Sequence, residues 1–419
     1  MIITADLVEF IDTHKNQIYK YIEYDIIKDS SLIKGEIYGK LVNKYELGDN
    51  LLDISSKYYI ETFIDSYFTK IVADYNERKR NRSNIANKLQ FLKTLKLPEQ
   101  RSQEWYDMRD KMLTASSLAD SLGKGHFRTR GSLLIDKTST EPPPYFTSPI
   151  IEWGVKYEPV ATTFYEKLNN LSILEFGLVP HSKLKIFGAS PDGICDIDSP
   201  EDYVGRMLEI KCPPVRKFTK EVPEHYWMQM QGQLECCDLE ECDFLQVKLL
   251  EYNTEEEYID DKLTEDSELK EGLTVNNLPK GLVLSFSKRV NDKTEYHYEY
   301  SEFYSSYDKL KEWSQKIIDG YPLEYDKLEF HWWKIERYEC TLVHRDRKWW
   351  LDTVPEILNF WEDVEHYRKI GNQELLDQRD AKKKKRKGTK KASTKHIITI
   401  NQDIMKQVET NYLLGSDSD

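Results

Sequence analysis

The stretch from Lys185 to Asn253 most narrows what this chain can fold into. It reads KIFGAS, then PDGICDID, the turn-rich SPEDYVG and GRMLEIKC, followed by HYWMQMQGQLECC and DFLQVKLLEYN. Pro, Asp, Gly and Ser break the first part into short strands, and the SPEDYVG turn folds ICDID back against RMLEIK as a hairpin. HYWMQMQGQLECC has helical length and carries no breaker except Gly232, so a helix follows the hairpin and a further strand follows the helix. Hairpin, helix and strand in this order require a core of mixed α and β structure.

The flanks differ. Residues 1–98 carry helical spacing, as in Leu7, Ile11, Ile18, Ile22 and again Tyr59, Phe63, Tyr67, Ile71, with Pro98 as the stop. A helical N-terminal domain over 1–98 is therefore expected, then a main domain over 99–370. In the main domain GLVLSFSKR and TEYHYEYSEF read as strands, SSYDKLKEWSQKIIDG as a helix ending at Gly320, and VPEILNFWEDVEHYRKI as the last helix. Residues 371–419, with AKKKKRKGTKKASTKH and a GSDSD close, form a basic low-complexity tail.

Of the 419 residues 39% are hydrophobic and 32% charged, with mean hydropathy −0.68 and 27 Tyr, 15 Phe and 9 Trp. That balance excludes a membrane protein and a wholly disordered chain. No segment reaches the roughly 18 apolar residues of a membrane span. Six cysteines and no export signal point to reduced thiols in an intracellular protein. The net charge is −13, although eight basic residues sit in one run, Lys382 to Lys387 with Lys390 and Lys391, leaving −21 on the rest. An acidic body argues against indiscriminate coating of nucleic acid and leaves room for a local polyanion site.

The candidate chemistry lies between Trp153 and Gln233. A strand of period two over GRMLEIKC puts Glu209 and Lys211 on one face and Ile210 on the other. The hairpin brings Asp192 toward Glu209, so two carboxylates and an ammonium converge. Mg²⁺ or Mn²⁺ takes hard oxygen donors and needs few protein carboxylates, so Asp192 and Glu209 with the Ile210 carbonyl suffice, leaving Lys211 to orient or deprotonate a water. Glu158 falls in the first turn of an expected helix, EPVATTFYEKLNN, where an acid is also favoured by the helix dipole alone. Tyr226, Gln229 and Gln233 share a helix face and Gln231 points elsewhere. Taken singly, each element has a bland explanation: a strand pair, a β-turn, a solvated stripe.

Together, W-x3-R-x4-TAS (Trp105, Arg109, Thr114 to Ser116), WGxxYEP (Trp153 to Pro159), GASPDG (Gly188 to Gly193), LEIKCP (Leu208 to Pro213) and YWMQMQ (Tyr226 to Gln231) resemble the lambda-exonuclease/YqaJ viral recombinase family of PD-(D/E)xK nucleases. The later HWWKIERYECTLVHRDRKWWLDTVPEILNFWEDV is similar to extensions in members from large DNA viruses. The resemblance implies a restriction-endonuclease-like α/β core, a central mixed sheet flanked by helices. It implies a Mg²⁺- or Mn²⁺-dependent DNA exonuclease acting 5′ to 3′ on linear double-stranded DNA in recombination or repair. It casts Asp192 and Glu209 as metal ligands, Lys211 as the catalytic lysine, Glu158 as a further active-site acid and Gln229 as the glutamine behind the site. Arg109, Ser116 and Ser190 match residues that hold the terminal 5′-phosphate. A single-strand annealing protein, a homo-oligomer, and placement in a virion or infected cell follow from the same analogy.

Other readings stand beside this one. An endonuclease uses the same core. An iron–sulfur RecB-type nuclease needs four cysteines around it, whereas Cys195, Cys212 and Cys236, Cys237, Cys242 have no familiar cluster spacing. A DNA-binding protein without catalysis has no use for Asp192, Glu209 and Lys211. The five tryptophans Trp332, Trp333, Trp349, Trp350 and Trp361 suit a core, while Arg345, Arg347 and Lys348 are candidates for phosphate contact. The Lys382 to Lys391 run suits nuclear targeting, a DNA tether or a solubilising tail.

Overall fold

The computed structural model describes residues 80–381 apart from 141–147, 215–217, 219–220, 263–271, 292 and 322–323, together with isolated positions at 35, 62, 66, 69, 70, 73 and 384. The chain divides into two units, Met1–Lys93 and Thr94–Asp419. In the first, residues 80–93 are helical, with Leu89 and Leu92 buried. Residues 1–79 of the expected helical domain, apart from the isolated positions, and nearly all of the basic tail from 382 on, lie outside the described residues.

The second unit begins with α1 (Gln103–Asp110), whose N-terminus is capped by Ser102, its hydroxyl accepting from the Trp105 N–H at 3.2 Å. Strand β1 (Leu113–Thr114) leads through a 3-10 turn to α2 (Leu118–Ser121) and α3 (Arg130–Thr138). A small sheet pairs β1 in parallel with β4 (Phe187–Ala189), itself antiparallel to β3 (Val179–Pro180).

The larger sheet has seven strands, in the order β2 (Ile173–Leu174), β5 (Gly193–Cys195), β6 (Met207–Lys211), β7 (Glu241–Glu251), β10 (Lys327–His344), β8 (Lys280–Val290) and β9 (Lys293–Tyr300). The hairpin expected around SPEDYVG is present: β5 pairs antiparallel to β6, with Gly193 opposite Leu208 and Ile194 opposite Met207. Helix α5 (Glu224–Cys237) then carries the chain across, so that β7 runs parallel to β6. β7, β10, β8 and β9 extend the sheet in antiparallel fashion. This mixed sheet flanked by helices is the α/β architecture that the sequence implies.

Period two decides which face goes where. Leu208, Ile210 and Cys212 point into a core shared with Tyr157, Val160, Ala161 and Phe164 of α4 (Pro149–Asn169), and each fully buried Leu, Ile or Phe contributes roughly 1.5–3 kcal/mol. Glu209 therefore projects to the opposite side, toward α5. Helix α7 (Tyr307–Gly320) ends at Gly320 as expected, and α8 (Arg347–Ile370) closes the unit.

Three expectations need correction. α4 begins at Pro149, with Ser148 as its cap, and passes straight through Pro159, which puts Glu158 in mid-helix rather than in a first turn. The proline's missing N–H forgoes one helical bond, and the buried face on either side of it holds the helix together. α8 likewise starts seven residues before Val354, because Asp346 caps it and Trp350 anchors its first turn in the core. Arg345 is not available to phosphate: it is buried and forked onto Glu235 at 2.7 Å, with Asp238 at 2.8 Å. Arg347 pairs with Glu240 and Lys348 with Asp352. Trp332, Trp333, Trp350 and Trp361 are buried and Trp349 is half-buried, which suits the core reading. Among the described residues no helix is long and apolar enough to cross a membrane.

Candidate active site

Glu209 is the centre of the site. It is 0% exposed, and its carboxylate is saturated by donors: Lys211 Nζ and Gln229 Nε2 (2.7 Å) on Oε1, Gln233 Nε2 (2.7 Å) on Oε2. Lys211 comes from the same strand face two residues on, and the two glutamines come from one face of α5 at a spacing of four. Gln231, on the other face, instead grips the His344 carbonyl and the Asp346 N–H. Sequence reasoning placed Gln233 on the right face and gave it no role, although the i, i+4 relation to Gln229 is the signal that finds it.

Asp192 sits at the mouth of the hairpin, where its Oδ2 accepts from the Ile210 N–H at 2.7 Å and its Oδ1 has no hydrogen bond among the described residues. Burial pushes its carboxyl well above the usual range, Glu209 and Glu158 push the same way, and Lys211 and the Ile210 N–H oppose them. Glu158 is also raised by burial, against Arg101 and Lys211; Arg101 Nη2 reaches its Oε1 at 3.3 Å. Lys211 is driven by its burial toward the neutral amine, and Glu209 and Asp192 outweigh that, so its pKa is raised and it stays an ammonium. Lys211 pairs with Glu209 and feels the charge of Asp192, while Glu158 is paired with Arg101, so the carboxylates of Asp192 and Glu209 outnumber the one ammonium beside them, an excess of negative charge that suits a divalent cation.

The donor set fits a hard, oxygen-seeking ion. Among the described residues no three His, Cys, Asp or Glu side chains converge on one point. The oxygen donors available on this face are the Asp192 and Glu209 carboxylates, a small count of the kind that Mg²⁺ or Mn²⁺ accepts. Gln233 Oε1, buried and without a hydrogen-bond partner among the described residues, adds an unsatisfied acceptor beside the acids. The six cysteines are free thiols, five of them buried. Burial pushes the Cys195 and Cys237 thiols up to about 12.

The second half of the site lies across Ser190. The Arg109 guanidinium packs over the Trp105 ring at 4.2 Å and donates through Nη2 to Ser116 Oγ at 3.2 Å. Among the described residues it has no carboxylate partner. Burial lowers its pKa, Tyr106 acts in the opposite sense, and Arg128 adds to the lowering. Trp105 Nε1 donates to Ser190 Oγ at 3.1 Å, while the Ser190 carbonyl accepts from Gln233 Nε2 at 3.3 Å. Ser190 therefore ties the arginine pocket to the carboxylates, and Arg109, Ser116, Ser190, Asp192, Glu209, Lys211, Gln229 and Glu158 occupy one region. Beside Lys211 and Glu158 opens a cavity of about 670 Å³, walled also by Phe127, His225, Tyr226 and Cys212. Nothing local in the sequence marked Phe127, because its packing against His225 arises only on folding.

The chain is similar to several known proteins. A family model described as a YqaJ-like viral recombinase domain matches residues 104–240. An uncharacterized protein of Acanthamoeba polyphaga mimivirus is 28% identical over 320 residues, covering 70% of this chain; the chain spans 57% of that relative's length. Among solved structures, an alkaline exonuclease (LHK-Exo) from Laribacter hongkongensis aligns with a TM-score of 0.38 at 20% identity, over 67% of this chain and 99% of that one. A phage-related exonuclease from Haemophilus somnus aligns at 0.33 and 12%, over 63% and 96%. The matched residues 104–240 contain Arg109, Ser116, Glu158, Ser190, Asp192, Glu209, Lys211 and Gln229, so every side chain of the candidate site falls within the segment that is similar to a YqaJ-like viral recombinase domain.

Proposed function

We propose that the chain is a metal-dependent deoxyribonuclease, a 5′-to-3′ exonuclease that consumes one strand of linear double-stranded DNA for recombination or repair. One observation carries this reading. Ser190 joins a half-buried arginine without a carboxylate partner among the described residues to a buried acid–lysine centre. The first suits a terminal phosphate and the second suits the scissile one.

Asp192 and Glu209, with the Ile210 carbonyl, would hold Mg²⁺ or Mn²⁺; to ligate, Glu209 gives up one of its present donors. When bound, such a cation neutralises charge on the scissile phosphate and lowers the pKa of a water. Gln229 and Gln233 fix the Glu209 carboxylate, and Lys211, as an ammonium, orients the attacking water and stabilises the oxyanion. Glu158 faces the same cavity and takes part in water positioning. Arg109, Ser116 and Ser190 bind the 5′-phosphate, the guanidinium through charged donors and the hydroxyls through neutral ones. A free duplex end then positions the first linkage at the acids, which is the origin of polarity. A single-strand annealing protein and a second copy of the chain are the partners that this role invites.

The test offers one DNA sequence as a closed circle and as linear duplexes with 5′-phosphate or 5′-hydroxyl ends, with Mg²⁺, Mn²⁺ or EDTA. Loss of phosphorylated linear DNA alone, stopped by EDTA and slowed at least about a hundredfold by Lys211→Ala, is the expected result. Cutting of the circle makes the protein an endonuclease. Binding without cleavage of any DNA overturns the enzyme reading.

A further inference from the structure

The arginine pocket is braced from behind by residues far away in sequence. The last turn of α1 carries Arg109, whose carbonyl accepts from the backbone only at the cap, from the Lys111 N–H and, at 3.5 Å, the Met112 N–H, so its acceptor capacity is open to a side chain. Lys137 Nζ, from the end of α3, donates to the Arg109 carbonyl at 2.5 Å. Arg368, in the last turn of α8, donates through Nη2 to the Asp110 carbonyl and through Nε to the Lys137 carbonyl, both at 2.9 Å. Its guanidinium lies 5.5 Å from the Trp361 ring centroid, which limits its freedom. Farther along, Arg130 at the start of α3 pairs with Asp363 at 2.7 Å, and Asn372 donates to Thr138 Oγ1 at 3.1 Å. α8 is thus fastened along the whole length of α3, and two cations cap the negative end of the helix that presents Arg109.

We propose that Lys137 and Arg368 are positioning residues for the terminal-phosphate contact of Arg109, so that the C-terminal helix sets the preference for phosphorylated DNA ends. The inference rests on the reading of Arg109 as the phosphate-binding arginine. It goes beyond that reading by making end selection depend on an element more than a hundred residues outside the matched domain. The two helix ends are held by a forked guanidinium whose nitrogens reach both carbonyls at once, a geometry that a lysine cannot reproduce. Releasing it lets the end of α1 fray and Arg109 drift, without touching Asp192, Glu209 or Lys211. The effect therefore belongs to end selection and not to hydrolysis.

The experiment measures kcat/KM of the full chain on duplexes with 5′-phosphate and 5′-hydroxyl ends for wild type, Arg109→Gln, Arg368→Gln, Arg368→Lys, Lys137→Met and Lys137→Arg, with the unfolding midpoint of each. Arg109→Gln should abolish the preference for phosphate. Arg368→Gln and Lys137→Met should narrow it by about fivefold or more through KM, leaving the 5′-hydroxyl rate within about twofold; displacements of an ångström act on this scale. Lys137→Arg should restore it and Arg368→Lys should restore it only in part. A wild type indifferent to the phosphate removes the reading of Arg109, and the inference falls with it. A preference lost in Arg109→Gln but kept in Arg368→Gln and Lys137→Met overturns the inference alone, as do equal losses on both ends that track the unfolding midpoint. Should Arg368→Gln fail to fold, the pair Lys137→Met and Lys137→Arg decides.

Discussion

At the scale of single residues, Lys137 gives a test in which stability and function move in opposite directions. Burial pushes its ammonium down from 10.5 to about 8; Asp110 opposes this, while Arg109, Arg368 and Arg128 reinforce it. The folded-state pKa lies below the unfolded one, so between about 8 and 10.5 the unfolded chain holds more protons and stability rises with pH. Below about 8 the cost of burying the charge is fully present. Over the same window the ammonium that caps the Arg109 carbonyl becomes a neutral amine, and the preference for 5′-phosphate should fall. Parallel series between about pH 7 and pH 10 should show the unfolding midpoint gaining and the preference declining relative to Lys137→Met, in which neither trend remains. Trends of the same sign in wild type would contradict the assignment. No local signal marks Lys137, because its meaning comes from α3 folding beneath α1. Asp192, Glu209 and Lys211 were legible for the opposite reason: a β-turn and a two-residue period fix where they go before any tertiary contact forms.

Elements show where local rules yield to packing. Pro159 and Pro355 both lie inside helices. A proline rule therefore misplaces both helix starts, since the buried faces of α4 and α8 outweigh one lost hydrogen bond each. The strands were easier to read, because alternation and turn residues are local, whereas the pairing order β7-β10-β8-β9 depends on contacts the sequence does not advertise. One tightly packed joint is the crossing of α5 over the small sheet. A Cβ added at Gly232 would meet Phe187 Cζ at 2.8 Å and the Ala115 Cβ at 3.1 Å, both on buried side chains. Gly232→Ala should destabilise the protein by about 1–3 kcal/mol in urea unfolding and slow cleavage, because the same helix carries Gln229 and Gln233 to Glu209. Gly154 in α4 has nothing within 4 Å of such a Cβ, so Gly154→Ala should stabilise by up to about 1 kcal/mol. Equal and opposite shifts to these would mean that α5 has slack the packing does not suggest.

For the whole molecule the governing quantity is charge. The chain carries −13 in total, and without the eight basic residues of Lys382 to Lys387, Lys390 and Lys391 it carries −21, a body that repels DNA at long range. Much of the surface positive charge is already committed to carboxylates, as with Arg347, Arg128 and Lys124. A nuclease with such a body gains duplex affinity most readily from the basic run, and the salt dependence of binding measures that gain. Each phosphate neutralised contributes about 0.9 to the slope of log K against log salt, so the eight charges add at most about seven. Binding to a noncleaved duplex in EDTA should therefore be several units less salt-dependent, and slower to form at low salt, in a chain ending at residue 381. The preference for phosphorylated ends should survive that truncation, because Arg109, Lys137 and Arg368 all precede the cut. Coincident slopes would assign the run to something other than DNA, while loss of end preference with the slope unchanged would tie the tail to the pocket rather than to the duplex.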